Sequence, residues 1–306
     1  MIDTDSRLIL KVFKCVATSV TLSRLGSCKL SEPQAEAHLT SARRTVCSPS
    51  RQQHATMIIL LTGATGYIGT EVLEQCIKHN YIEHIYCLTR KALDDKYATH
   101  KKVTQIIHAD FSQYPQYLLD KLADYRIEGC IWALGRTFDK YKDKDEAEMV
   151  EIHFRIQAAN ALASALATRL DPNAPLRKQK YPFRFIFMSA WGAEQDSFRS
   201  LWFWQPVFRK IKGTAEKAIF DVADGSEVKG GKKCFEAIAL RPGGVIAGGD
   251  AITTILTEAV APYIAVDRLA KCAIKTALEG TGYPDKRILE NKDCLGDDWA
   301  SINTIS

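Results

Sequence analysis

Cysteine pairs, long apolar runs and a charge excess are all missing from the body of this 306-residue sequence. Nine cysteines, at positions 15, 28, 47, 76, 87, 130, 234, 272 and 294, stand singly without a CxxC pair. Neither a disulfide framework nor a zinc site is indicated, and the thiols read as reduced and intracellular. No apolar stretch approaches the roughly eighteen residues of a membrane-spanning helix. The formal net charge is +5, but residues 1–56 hold eight basic and four acidic side chains, which leaves 33 basic against 32 acidic in the remaining 250. A body this near neutrality lacks the electrostatic footprint of a nucleic-acid binder. A Gly-x-Ser-x-Gly elbow, a Walker loop and a metal-ligating histidine spacing are absent too. Composition therefore points to an ordinary globular chain with reduced thiols, of a length that suits one large α/β domain or two small ones; a cytoplasmic location, a small-molecule substrate and a possible homodimer are expected from its motifs.

Residues 1–56 differ from the rest. No acid occurs between Asp5 and Glu32, while Arg7, Lys11, Lys14, Arg24 and Lys29 interrupt a run of Leu, Ile, Val and Phe. The segment reads as a disordered extension, with a mitochondrial presequence as the second reading; Asp3 and Asp5 argue against the latter. Met57 stands directly before the first expected strand.

From Met57 onward, apolar runs alternate with helical periodicity. Strands are expected at 57–61, 84–89, 103–108, 129–134, 185–188 and 235–240, and helices near 69–79, 145–168, 207–223 and 267–278. Such alternation gives βαβ crossovers and a doubly wound parallel sheet, a Rossmann fold spanning 57–306. Its short C-terminal segment, about 249–300, should form a small helical cap, with Asp267 as the N-cap of its helix.

Between the first strand and its helix lies Gly63-Ala-Thr65-Gly66-Tyr67-Ile68-Gly69. Gly63 allows the tight turn, Gly66 lets backbone approach a pyrophosphate, and Gly69 lets helix and strand pack closely; the helix N-terminus offers free N–H groups to phosphate. In this strand–turn–helix context the glycines mark a dinucleotide site. After the second strand, where an NAD enzyme carries an acid for the ribose hydroxyls, stand Thr89-Arg90-Lys91, and no acid appears before Asp94. A guanidinium there suits a 2′-phosphate, so NADP(H) is the expected cofactor. Asp110 could accept from the adenine amino group or cap a turn.

These residues are familiar as a set. TGATGYIG, LTR, HADF, WALG, FIFMSAWGA, KGTAE and LRPGG resemble the atypical and extended short-chain dehydrogenase/reductases, nearest to the NAD(P)H-binding branch with the Tat-interacting oxidoreductase and epimerase-like proteins. The resemblance implies a nicotinamide cofactor and a catalytic Ser, Tyr and Lys, the last two as YxxxK on one helix. It places Leu134 and Gly135 under the cofactor and Pro242 beside the nicotinamide, with Arg241 either there or in a structural ion pair. Ser189 falls at the serine position and Lys212 at the lysine, which would also hold the nicotinamide ribose. Phe208 occupies the tyrosine position, and no Tyr lies between Tyr181 and Tyr263. A phenyl ring has no proton to give, so the family mechanism cannot run unaltered.

Three functions remain open: an NADPH-dependent reductase of a carbonyl or enone with an altered site, a non-catalytic NADP(H)-binding regulator or scaffold, and a nucleotide-sugar epimerase-like enzyme. Trp191, Trp202, Phe203 and Trp204 between Ser189 and Phe208 form an aromatic wall suited to an apolar or ring-containing substrate, or else packing for the loop.

Overall fold

A computed structural model of the chain describes residues 56–175, 179–202, 205–248, 262–283 and 285–296. The expected extension up to residue 55, Phe203, Trp204 and the expected C-terminal segment at 249–261 and 297–300 lie outside the described residues.

The strand β1 (Met57–Thr62) is the hub of the sheet. It pairs in parallel with β2 (Ile82–Thr89) on one side and β4 (Gly129–Trp132) on the other. Beyond β2 lies β3 (Val103–Ile107); beyond β4 come β5 (Phe183–Met188), β8 (Phe235–Arg241) and β11 (Ile288–Glu290). The seven-stranded order is β11-β8-β5-β4-β1-β2-β3. The chain winds outward from β1 through β2 to β3, then crosses back to begin the other half at β4. Crossovers of opposite direction leave a crevice at the carboxyl ends of β1 and β4, where doubly wound sheets place ligands. Two minor ribbons complete the strands: β6 (Val228–Lys229) with β7 (Lys232–Lys233), and β9 (Gly244–Ile246) with β10 (Tyr263–Ala265).

Because strand side chains alternate between faces, each strand feeds two cores. Ile59, Leu61, Ile85, Cys87, Ile131, Ile186 and Ile238 face one way and pack with Val72, Leu73 and Cys76 of α1 (Tyr67–Lys78) and with Leu269 and Ala273 of α7 (Val266–Glu279). Leu60, Leu88, Cys130, Trp132, Phe185, Phe187 and Ala239 face the other way. They meet Leu118 and Leu122 of α3 (Gln116–Asp124), Leu162 of α5 (Phe154–Ala165) and Ile219 of α6 (Pro206–Asp224). Burial on both faces explains why these strands read as continuous apolar runs.

Several boundaries differ from the sequence reading. A one-turn α2 (Asp95–Ala98), α3, β11 and the one-turn α8 (Asn291–Cys294) were not expected. The long helix expected at 145–168 is broken: α4 (Lys144–Glu148) widens into a π turn over Met149–His153 before α5 continues. Asp267 does not cap α7, because β10 runs straight into it with Ala265 at the N-cap. Asp267 sits in the first turn and pairs with Lys271 at 3.4 Å, and its carbonyl accepts from Gln75 of α1. Cys76, Cys87, Cys130, Cys234, Cys272 and Cys294 are free and buried. Desolvation raises the Cys87 thiol to about 12, and the Cys76 and Cys130 thiols rise for the same reason.

The glycines of the first turn divide by role. A Cβ on Gly69 would stand 2.0 Å from the Gly63 carbonyl oxygen, whereas one on Gly66 would meet only that oxygen, at 3.3 Å. Gly69→Ala should therefore cost about 1–3 kcal/mol or more through overpacking, read as a fall in Tm. Gly66→Ala should leave the Tm close to wild type.

Candidate active site

Gly63 adopts φ +71, and a Cβ there would collide with the Ala133 carbonyl oxygen at 2.5 Å, so the turn after β1 lies against the end of β4. The Gly66 amide donates to the Gly63 carbonyl at 2.8 Å, and Gly66 becomes the N-cap of α1. No side chain caps this helix, and its first turn carries no acid. Thr65, Gly66 and Tyr67 are exposed and Ile68 is half-buried. The unsatisfied N–H groups and the positive end of the helix dipole thus face the crevice, a cradle that fits a pyrophosphate.

Arg90 follows β2 directly, is exposed, and makes no salt bridge among the described residues. The strand end beneath it is pinned by Gln105, whose amide donates to Thr89 Oγ1 and to the Lys91 carbonyl, both at 2.8 Å. Asp110 caps its own turn: its Oδ1 accepts from the amide (2.9 Å) and the hydroxyl (2.6 Å) of Ser112. Those bonds hold its carboxyl below the usual range. Past β4, Leu134 lies half-buried and Gly135 is exposed. What crowds Gly135 is the carboxylate of Glu151, whose Oε1 would sit 2.8 Å from an added Cβ. Pro242 is buried past β8, and its carbonyl accepts from the Trp191 amide at 2.8 Å.

The two expected catalytic side chains are both buried and both bound to carboxylates. Lys212 Nζ donates to Glu151 Oε2 at 2.7 Å and to the Met188 carbonyl at 3.4 Å, and lies 5.1 Å from the Phe208 ring centroid. Glu151, central in the π turn, also accepts from Arg155 at 2.5 Å and from the Tyr141 hydroxyl at 2.6 Å. Burial works to raise the Glu151 carboxyl, but Lys212, Arg155 and Tyr141 together bring it below the ordinary carboxylate value. Burial pulls the Lys212 ammonium down; Glu151 opposes that and Arg155 adds to it. Desolvation and the neighbouring Glu151 push the Tyr141 phenol well above its usual value.

Ser189 Oγ donates to Glu216 Oε1 at 2.5 Å. Glu216 is fully buried and accepts as well from Gln195 (2.7 Å) and from both Nε and Nη2 of Arg241 (2.8 and 2.5 Å). Arg241 reaches on to Glu290 at 2.9 Å, which settles its role as an ion-pair partner. Phe208 is buried against Phe138, with ring centroids 5.6 Å apart, in a small cluster that includes Tyr141 and Ile211. Of the expected aromatic wall, Trp191 is 37% exposed and Trp202 91% exposed.

The crevice therefore gathers the glycine turn, Gly135, Ser189, Lys212, Phe208 and Pro242, while Arg90 and Asp110 stand at neighbouring strand ends. Glu151, Tyr141, Arg155 and Glu216 escaped the sequence reading. Two signals existed: Glu151 and Arg155 four apart on one helical segment, and Glu216 four residues after Lys212 on the same helix face. No cluster of His, Cys, Asp or Glu suited to a metal occurs among the described residues, and no described helix is long and apolar enough to cross a membrane. A cavity of about 480 Å³ lies at the amino ends of β5, β8 and β11, away from the crevice, near Tyr181, Phe235 and Arg287.

Residues 59–195 match the model of the NAD-dependent epimerase/dehydratase family. A nonribosomal peptide synthetase of Aspergillus aculeatus is 36% identical over 91 residues, which are 27% of this chain and only 6% of that protein. Yeast methylglyoxal/isovaleraldehyde reductase Gre2, solved with NADPH, shares the fold with a TM-score of 0.53 at 14% identity, over 76% of this chain and 77% of its own. MoeE5 in complex with UDP-glucose and NAD has a TM-score of 0.51 at 14% identity, over 76% and 75%. A short-chain dehydrogenase/reductase family oxidoreductase of Burkholderia thailandensis has a TM-score of 0.51 at 13% identity, over 79% and 94%. Fold and crevice are those of a Rossmann-type doubly wound α/β protein.

Arg241→Met should destabilise the protein by about 3–5 kcal/mol, since it leaves the Glu216 carboxylate buried without its cation. Urea unfolding measures this. Ser189→Ala, which removes one neutral donor, should cost only about 1 kcal/mol.

Proposed function

We propose that this chain is an NADPH-dependent reductase of a small apolar or ring-containing carbonyl or enone compound. The observation that carries the reading is the uncapped, acid-free glycine turn beside Arg90, at a strand end without a carboxylate. The amides of α1 would hold the pyrophosphate, and the Arg90 fork the 2′-phosphate. An ammonium presents three donors, so Lys212 can keep Glu151 and Met188 and still offer one to a ribose or substrate oxygen. The bound cofactor supplies hydride to the substrate carbon. As the carbonyl π electrons move onto oxygen, the Lys212 ammonium gives that oxygen a proton, the part that Phe208 has no hydroxyl to play. Ser189 would polarise the carbonyl once its hydroxyl turns from Glu216. Trp191, exposed two residues past Ser189, supports a ring-bearing substrate.

The commitment of both Ser189 and Lys212 to buried carboxylates favours a second reading, a non-catalytic NADP(H) binder. Epimerase-like chemistry on a nucleotide sugar is the third, and the ring of Phe208 speaks against it.

Arg90→Ala should weaken NADPH binding at least about tenfold more than NADH binding by fluorescence titration; equal weakening would remove the 2′-phosphate assignment. The activity is tested by supplying NADPH deuterated at C4 with a metabolite extract and searching for transferred deuterium by mass spectrometry. Label that appears with wild type and fades with Lys212→Met identifies a reductase and its substrate. Tight NADPH binding without label moves the conclusion to the non-catalytic reading. In the reductase, Phe208→Tyr should raise turnover by placing a phenol four residues before Lys212.

A further inference from the structure

Lys212 is surrounded by more charge than proton transfer to a substrate requires. From the π turn, Glu151 bonds its Nζ at 2.7 Å. From α5, Arg155 presses a second cation onto the same carboxylate at 2.5 Å, and both side chains of that pair are fully buried. From its own helix, one turn on, Glu216 adds a negative charge that Arg241 largely compensates. From β5 come only the Met188 carbonyl and the neutral Ser189. From the loop after β4, Tyr141 donates to Glu151 and accepts from the Arg136 amide at 2.9 Å. Among the described residues, Glu151 is thus the one carboxylate in direct contact with the lysine. The surrounding backbone admits it: Gly135 has no Cβ where Oε1 sits, and the helix widens into its π turn at this residue.

We propose that Glu151 is the positioning residue of the reductase site: it holds Lys212 in its charged, proton-donating form against burial and against Arg155, so that a phenol at position 208 is not needed. The inference rests on the reductase reading for its consequence, but not for its geometry. In each turnover the Lys212 N–H bond would break as an O–H bond forms on the substrate, the hydride for the new C–H bond being what bound NADPH would supply. The neutral amine left beside Glu151 then takes a proton from solvent, because the buried carboxylate attracts it. Arg155 works in the opposite sense, and this antagonism separates an electrostatic role from a structural one.

The test follows the ionisation of Lys212 by NMR of the full chain with 13C-labelled lysine, its signal assigned by loss in Lys212→Met. No cofactor or substrate is needed, so a failed result here leaves the reductase reading standing, and an absence of turnover leaves this one measurable. Glu151→Gln should lower the titration midpoint of Lys212 by about one pH unit or more, and Arg155→Met should raise it. Glu151→Asp, which keeps the charge should the glutamine variant fail to fold, should retain a midpoint near wild type. An unmoved midpoint in Glu151→Gln, or shifts in the same direction in Glu151→Gln and Arg155→Met, would overturn the proposal. With a substrate in hand, the basic limb of the kcat profile should shift to lower pH in Glu151→Gln.

Discussion

A carboxylate buried out of reach of water must be given cations and donors, and Glu151 is given two cations and a phenol. The cost of leaving such a group uncompensated, several kcal/mol, makes its surroundings interdependent. Gly135 must lack a side chain, Tyr141 must point inward, and α4 and α5 must join through a π turn. The line continues beyond the lysine. Arg155, Glu151, Lys212, Glu216, Arg241 and Glu290 alternate in sign across α5, the π turn, α6, β8 and β11. Three positive and three negative side chains in this line balance only while Lys212 is charged. The floor of the crevice is therefore an electrostatic unit rather than separate contacts.

The crevice itself is a consequence of winding order. β1 is followed outward by β2 and β3, and the next strand, β4, returns to the other flank of β1. The turns leaving β1 and β4 are then neighbours by necessity, as the approach of Gly63 to Ala133 shows. A glycine turn with an uncapped helix behind it faces that gap, and the ends of β5 and β8 bring Ser189 and Pro242 to its rim. The exposed amides of the glycine turn and the side chains of Ser189 and Lys212 thus come from opposite halves of the sheet. The ring of Phe208 meanwhile packs with Phe138 and Tyr141, a use that a tyrosine hydroxyl would complicate.

Much of this was legible beforehand. Two-faced burial writes strands as unbroken apolar runs, so β1, β4, β5 and β8 stood out. The glycine spacing showed the turn because steric exclusion at Gly63 and Gly69 is local. Less legible were α3, whose sequence carries a mixed pattern, and β11, only three residues long. Asp267 looked like a cap because Asp is a good one, but a strand that enters the helix directly left it no such position. Glu151 and Glu216 each stand four positions from a basic residue, Arg155 and Lys212, but that spacing by itself does not say that an acid is buried.

What the sequence by itself determined is the alternation of strand and helix, the glycine turn between β1 and α1, the acid-free end of β2 and the phenyl ring four residues before Lys212. Each of these follows from side-chain chemistry acting over one turn or one strand. Only the tertiary structure decided that Lys212 and Ser189 are held by carboxylates from elsewhere, since Glu151 is 61 residues from Lys212 and Glu216 is 27 from Ser189. Charges so far apart in the chain meet only when the sheet has ordered its strands, and it is their mutual burial that makes them matter.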